Sequence, residues 1–290
     1  MAVPPKRVLR FYSNTDYAMQ AIGFREITYV RIDQLNDPFD PPFFFITDFD
    51  NSYADLIDYV RRNHKEDIQN FSSRLPQENW ERFLINITEE LTSIRNSTFI
   101  FSACAVTEYQ HPKDNLYMWS HYGNGHRGIA IEFDTALLTK AVSIKNKTLN
   151  GEVTQADDAW NKIDYPVTLP KITSEMIYQA IMSAHEEFDI EAWRRTKFSE
   201  IMAVLLRSKS LVWKVENEWR LMWRNDETDL KIERLNLLDE TITALYLGCR
   251  VTDPLKQSLI SQVRRSFPKA LVYDSKKAHG EFAIKFEVLK

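Results

Sequence analysis

Two cysteines, seven glycines and six histidines in 290 residues leave little material for several kinds of protein. Cys104 and Cys249 are too few for a disulfide scaffold or a cysteine-built zinc site. No Gly-rich fingerprint follows any strand-like segment, which excludes a dinucleotide-binding βαβ unit and a phosphate loop. Long apolar runs are also missing. "MAVLL" (202–206) falls far short of the roughly 20 residues needed to span a bilayer, so no membrane association is expected. The start, "MAVPPKRVLRFYS", has early charges and no apolar signal-peptide core, and a cytoplasmic location is the expectation. A net charge of −4 and a pI of about 5.9 provide no global basic field for holding nucleic-acid phosphates.

What the chain does have is apolar bulk: 44% hydrophobic residues and 12% aromatics, enough for a substantial core. "RVLRFYS" (7–13) reads as a strand, followed by a helix over about 15–22 that ends at Gly23. "EITYVRI" (26–32) alternates like a strand and runs into the proline-broken loop "LNDPFDPPFFF" (35–45). Two helices follow; in the second, Trp80, Phe83, Leu84, Ile87, Leu91 and Ile94 recur at helical spacing. "STFIFSAC" (97–104) and "RGIAIEFD" (127–134) read as strands, and in the latter Ile129, Ile131 and Phe133 share one face. The polar stretch 142–172 offers one strand near "KIDYPV", and helices are predicted over about 174–189 and 191–210. Strands are then expected at 217–224, 230–235, 242–248, 270–273 and 282–288, with a helix opening at Pro254 after Asp253. The irregular alternation predicts a single α+β domain over 1–290, with a mixed, mostly antiparallel sheet. Helical insertions are expected at about 52–96 and 174–211.

Three stretches concentrate chemistry. "WKVENEWRLMWR" (213–224) holds three of the seven tryptophans. On an extended strand Glu216, Glu218 and Arg220 share a face, which suits acid–base work, stabilisation of a cationic transition state or the grip of a ribose hydroxyl. The competing reading is a solvated edge strand carrying a salt bridge. "LYMWSHYGNGHRGIAIEFD" (116–134) gathers Trp119, His121, Tyr122 and His126 with three glycines. It reads as a short helix, a glycine turn and a strand; the turn permits positive φ angles. Its histidines lack metal-ligand spacing and no metal is expected. The choice there lies between a packed aromatic corner and a pocket wall where Trp119 or Tyr122 stacks on a planar ligand while His121 hydrogen-bonds it. In "NDPFDPPF", Asn36, Asp37 and Asp40 suit an Asx-type turn and also a pocket rim.

The blocks "LRFYS", "LNDPFD", "FSAC", "MWSHYGNGHRGIAIEFD", "KSLVWKVENEWRL" and "LYLGCR", in that order, resemble a bacterial family known only as a domain of unknown function. That family carries N-D-P-F-[DE], W-S-H-Y…H-x-G-[IV]…F-D and W-x-x-E-x-E-[WY]-R motifs, and the likeness runs from about residue 8 to 250. More remotely, the chain resembles the ADP-ribosyltransferase superfamily, which places an Arg or His on a first strand, a Ser or Tyr on a middle strand and a Glu on a late one. Arg10, Ser102 and Glu216-Asn217-Glu218 stand in that order. The resemblance implies NAD as substrate and Glu216 and Glu218 as catalytic residues. Glu218 would stabilise the oxocarbenium-like cation as nicotinamide leaves, and Glu216 would orient the acceptor. Arg10, Tyr12, Asn36, Ser102, Trp119, His121 and Tyr122 are the residues expected around the NAD.

The resulting expectation is an NAD-dependent ADP-ribosyltransferase or NAD glycohydrolase-like effector, of toxin or phage-defence type, acting on a protein or nucleic-acid acceptor. Two other classes compete. One is a nucleic-acid- or nucleotide-cleaving toxin using His121, His126 and Glu218 beside Arg194, Arg195, Lys197, Arg207 and Lys209. The other is a non-enzymatic nucleotide sensor with the same pocket.

Overall fold

A computed structural model describes residues 2–13, 15–35, 37–41, 47–50, 52–150, 160–169, 171–183, 204–225 and 229–289, with backbone only at 146–150. The chain forms two compact units. The first contains residues 1–34, 98–163 and 213–290, and the second contains 35–97 and 164–212.

The first unit is built on one sheet. Its strands are β1 (Arg7–Tyr12), β2 (Glu26–Arg31), β3 (Thr98–Val106), β4 (Ile129–Asp134), β5 (Trp160–Lys162), β6 (Glu218–Arg224), β7 (Ile232–Asn236), β8 (Ile242–Leu247), β9 (Leu271–Lys277) and β10 (Ile284–Val288). The order is β10-β9-β8-β4-β1-β3-β2-β7, with β6 also on β3 and β5 on β6. All pairs are antiparallel except β8 with β9. The fold is therefore α+β around a large, mostly antiparallel sheet, as the segment pattern predicts. β6 runs along β3 from Thr98 to Cys104, so β1 and β2 must share the opposite edge of β3. The sheet branches there.

Alternation assigns the two sheet faces. Val8, Tyr12, Phe101, Ala103, Ile129, Ile131, Phe133, Trp219, Leu221, Leu245 and Leu247 belong to the main apolar core. Leu259, Ile260 and Val263 of α8 (Asp253–Ser266) complete that core, as do Leu138, Ala141 and Val142 of α6 (Thr135–Asn150). Leu9, Phe11, Cys104, Ala130, Ala244 and Tyr246 form a smaller cluster on the other face, with Met118 and Trp119 of α5 (Leu116–His121). Burial of these side chains removes apolar surface from water at about 25 cal/mol per Å².

Local differences from the sequence reading have physical causes. The helix after β1, α1 (Thr15–Met19), continues as a π-helical turn to Phe24, and the left-handed residue closing it is Arg25 (φ 57°), not Gly23. The stretch read as polar and ambiguous holds most of α6, whose first turn is capped by Asp134 Oδ1 accepting from Leu137 N at 2.9 Å. The strand near "KIDYPV" is β5, shifted two residues earlier.

The second unit, considered alone, contains α2 (Tyr53–Asn63), α3 (Ile68–Arg74), α4 (Trp80–Ser97) and α7 (Ser174–Ser183). Trp80, Phe83, Ile87, Leu91 and Ile94 are buried on one face of α4, as their spacing predicts, and join Leu56, Val60, Phe71 and Ile181 in a core. The helix predicted over 191–210 falls largely outside the described residues. Among the described residues no helix is long and apolar enough to cross a membrane.

Candidate functional site

Glu218 opens β6 and pairs in register with Cys104 of β3, which pairs with Leu9 of β1. These three therefore share a face, and it is the face that α5 covers. Arg220 lies two residues along the same face, opposite Ser102. Its Nε donates to Glu218 Oε1 at 2.7 Å and its Nη2 to Oε2 at 3.3 Å. Both side chains are buried, Arg220 fully. A two-pronged guanidinium–carboxylate pair of this kind offsets part of the cost of removing both charges from water. The solvated edge strand is thereby ruled out: β6 is flanked by β3 and β5, and its Glu218 and Arg220 are buried.

Glu216 is not on that strand. It ends a 3-10 turn, Leu211–Glu216, and Asn217 (φ 45°) redirects the chain before β6 begins. The bond from Ala105 N to Asn217 O (3.0 Å) ties this corner to β3. Glu216 is nonetheless buried, and Tyr122 Oη donates to its Oε1 at 2.6 Å.

The wall beside Glu216 comes from α5. Asn115 caps it by accepting from Tyr117 N and Met118 N, and its amide donates to Val215 O at 3.4 Å. Tyr117, His121, Tyr122 and Trp213 pack ring against ring, with centroid separations from 4.1 to 6.5 Å. His121 is exposed, and Tyr117, Tyr122 and Trp213 are half-buried. Together they form an aromatic rim.

Several residues expected around an NAD lie elsewhere. Arg10 and Tyr12 alternate with Leu9 and Phe11 and so project from the opposite face to Glu218. There the Arg10 guanidinium sits 4.6 Å from the Phe101 ring centroid and 5.6 Å from that of Tyr12. Burial pushes the Tyr12 hydroxyl up to about 12, partly countered by Arg10. Trp119 is fully buried, its Nε1 donating to Lys113 O at 2.7 Å and its ring meeting Phe11 edge-on at 5.0 Å. It braces α5 from beneath and cannot stack on a ligand. Asn36 lies outside the described residues. Asp37 makes the expected Asx turn, accepting from Phe39 N at 2.9 Å. Ser102, Glu216, Glu218, His121 and Tyr122 are the expected residues that this side of the sheet brings together.

The glycine turn divides its work unexpectedly. Positive φ falls on Asn124, Gly125 and His126, whereas Gly128 is needed because a Cβ there would lie 2.2 Å from Tyr12 O. His126 stacks on Trp119 at 6.2 Å. Burial, reinforced by the charges of Arg250 and Lys277, lowers its pKa. Lys209, expected in a solvent-facing basic groove, is buried in the second unit and ion-paired with Asp40 at 3.3 Å. Arg194, Arg195 and Lys197 lie outside the described residues.

A further buried carboxylate escaped the sequence reading. Glu132 pairs with Leu9 and so lies on the Glu218 face. It accepts from Arg7 (3.1 Å), Thr243 (2.8 Å) and Tyr246 (3.1 Å), and meets His111 Nε2 at 3.1 Å. Only its alternation with Ile131 and Phe133 hinted at a polar residue pointing away from the main core. Among the described residues, no group of three or more His, Cys, Asp or Glu could hold a metal ion.

Residues 118–221 match a family model described as "Protein of unknown function (DUF2971)". The match runs from Met118 in α5 to Leu221 in β6 and so includes Tyr122, Glu216 and Glu218. It supports a relationship to a domain-of-unknown-function family. No curated protein and no solved structure matches the chain.

Proposed function

We propose that this chain cleaves the N-glycosidic bond of NAD, as an ADP-ribosyltransferase or an NAD glycohydrolase, on the sheet face beneath α5. The observation that carries the reading is the pair of buried carboxylates, Glu218 bound by Arg220 and Glu216 bound by Tyr122, beside one aromatic rim. In the reaction the bond between ribose C1′ and the pyridinium nitrogen breaks, and its electron pair leaves with nicotinamide. The cation developing on the ribose meets the fixed negative charge of Glu218, an electrostatic aid that needs no reorganisation during the step. Water or an acceptor group then bonds to C1′, giving its proton to Glu216. The Tyr117, His121 and Trp213 rings supply planar surfaces for nicotinamide.

Arg10 has no part in this proposal, because its guanidinium lies on the other face of the sheet. Both carboxylates are buried, so turnover requires the aromatic rim to part when NAD enters. Under this reading the chain is a cytoplasmic effector of toxin or phage-defence type, with water, protein or nucleic acid as acceptor.

The test incubates purified protein with NAD labelled in the adenylate half and follows nicotinamide release and label transfer. Wild type is expected to release nicotinamide. Glu218→Gln is expected to keep NAD binding and lose release by about 100-fold or more, the scale of a lost electrostatic contact to a transition state. Unchanged release by Glu218→Gln, or no NAD binding by wild type, would refute the proposal. Binding without turnover would favour a sensor.

A further inference from the structure

A second region of the first unit has a different chemistry. β1 ends before Ser13, α1 opens at Thr15, the glycine turn carries Asn124 and Arg127, and the segment between β8 and α8 carries Arg250 and Thr252. These six residues line an open cleft of about 440 Å³, floored on one side by Leu255. We propose that this cleft binds a small phosphate ester with a hydroxylated, non-aromatic body, of the sugar-phosphate class.

Charge is the first argument. Two arginines line the cleft, and no carboxylate is among the described residues that do. Among the described residues neither Arg127 nor Arg250 is ion-paired; Arg250 Nη1 donates only to the Gly125 carbonyl at 3.4 Å. Unpaired guanidinium groups sharing a concave surface suit a phosphate, whose oxygens accept forked N–H donors.

Organisation is the second. Backbone bonds fasten the two arginine-bearing segments together: Arg250 N donates to His126 O at 2.9 Å, and Gly248 N donates to Gly128 O at 3.1 Å. A Cβ on Gly248 would lie 2.4 Å from His126 O, so the segments can approach only because glycine stands there. The arginines therefore spring from a fixed backbone, which lowers the ordering cost of binding.

The α8 N-terminus adds to both. This helix has fourteen residues, the Thr252 hydroxyl makes no capping bond, and Pro254 has no N–H to contribute. The positive end of the helix dipole thus faces the region where Thr252 and Leu255 line the cleft. Asp253 lies in the same first turn but does not line the cleft. Size and lining set the remainder of the ligand. The volume exceeds that of a bare phosphate. Ser13, Thr15 and Asn124 offer hydrogen bonds for hydroxyl groups, and no aromatic ring is among the described lining residues to stack on a base.

Isothermal titration of the full chain with ribose 5-phosphate, inorganic phosphate, ribose and AMP tests the assignment without reference to NAD turnover. Ribose 5-phosphate is expected to bind more tightly than phosphate, with ribose undetectable and AMP gaining nothing from its base. Arg127→Gln and Arg250→Gln should each weaken ribose 5-phosphate about tenfold, the value of a charged hydrogen bond. Thr252→Asp supplies a control against simple unfolding: it provides a better helix cap and places a negative charge at the cleft. It should preserve or raise the melting temperature while abolishing binding. Ribose binding as tightly as its phosphate, or affinity unchanged in Thr252→Asp and in both arginine variants, would overturn the proposal. So would no detectable binding of either phosphate probe by wild type.

Discussion

The Tyr122 hydroxyl donates to Glu216 Oε1 over 2.6 Å, joining the end of α5 to the turn before β6 across 94 residues of chain. The bond explains how a carboxylate leaving a 3-10 turn is kept beneath an aromatic rim. It also links the stability of the corner, and the chemistry proposed for it, to this phenol.

Tyr122→Phe removes that donor and keeps the ring. Depriving a buried carboxylate of one partner should lower unfolding stability by about 1–2 kcal/mol, read from the denaturant midpoint at unchanged m-value. Under the proposed function the same variant slows nicotinamide release while the NAD dissociation constant moves little. A variant as stable as wild type would show that the bond contributes nothing measurable.

Arg220 and Glu218 should behave as a unit. Arg220→Met leaves a charged Glu218 inside the sheet and is expected to cost about 3–5 kcal/mol. Glu218→Gln takes the carboxylate charge away from the buried guanidinium, with part of the loss recovered by the amide oxygen. The double variant should lose less than the sum of the singles, because neither charge remains unpaired. Additive losses in chemical denaturation would argue against a coupled pair.

Gly128 and Gly280 make a contrasting pair. A Cβ at Gly128 would overlap Tyr12 O at 2.2 Å, whereas one at Gly280 (φ 76°) meets nothing within 4 Å. Gly128→Ala should therefore cost about 3 kcal/mol or more from backbone displacement. Gly280→Ala should cost about 1 kcal/mol from left-handed strain alone. Thermal melts of the two variants distinguish steric overlap from conformational preference.

Acid should weaken the protein in two stages. Burial, then the charges of Arg250 and Lys277, hold the His126 ring below its ordinary 6.5. For Glu132 burial pulls upward, but the contacts with His111, Thr243 and Tyr246 outweigh it and leave the carboxyl below 4.5. Both groups take up protons more readily when unfolded, so their contribution is complete at higher pH and lost on acidification. Stability should fall first as pH drops below about 6.5 and again below about 4.5. His126→Asn, which tolerates the left-handed backbone at φ 68°, should flatten the first stage, and Glu132→Gln the second. Melting temperature against pH for the three proteins provides the check.

Much of the fold was legible from local pattern. Ile129, Ile131 and Phe133 alternate into the main core, and the three-and-four spacing from Trp80 to Ile94 becomes one buried face of α4. The short helix of "LYMWSH" and the side-by-side placement of Glu218 and Arg220 also follow from spacing within a few residues. Such patterns survive folding because the helical and strand periods belong to the chain itself. α6 escaped the sequence reading because polar residues fill its later half.

Tertiary structure decided where the chemistry falls. Alternation told Arg10 from Leu9, but only the register Leu9–Cys104–Glu218 determined that Arg10 lies on the far face from the carboxylates. Register is a hydrogen-bonding relation between strands distant in sequence, and moving it by one residue would exchange the faces. A single left-handed residue, Asn217, took Glu216 off the strand, and Tyr122 then met it from 94 residues away. The composition of the chain determined that it would bury aromatic bulk around a sheet; which charged groups were buried with it was settled by the pairing of strands.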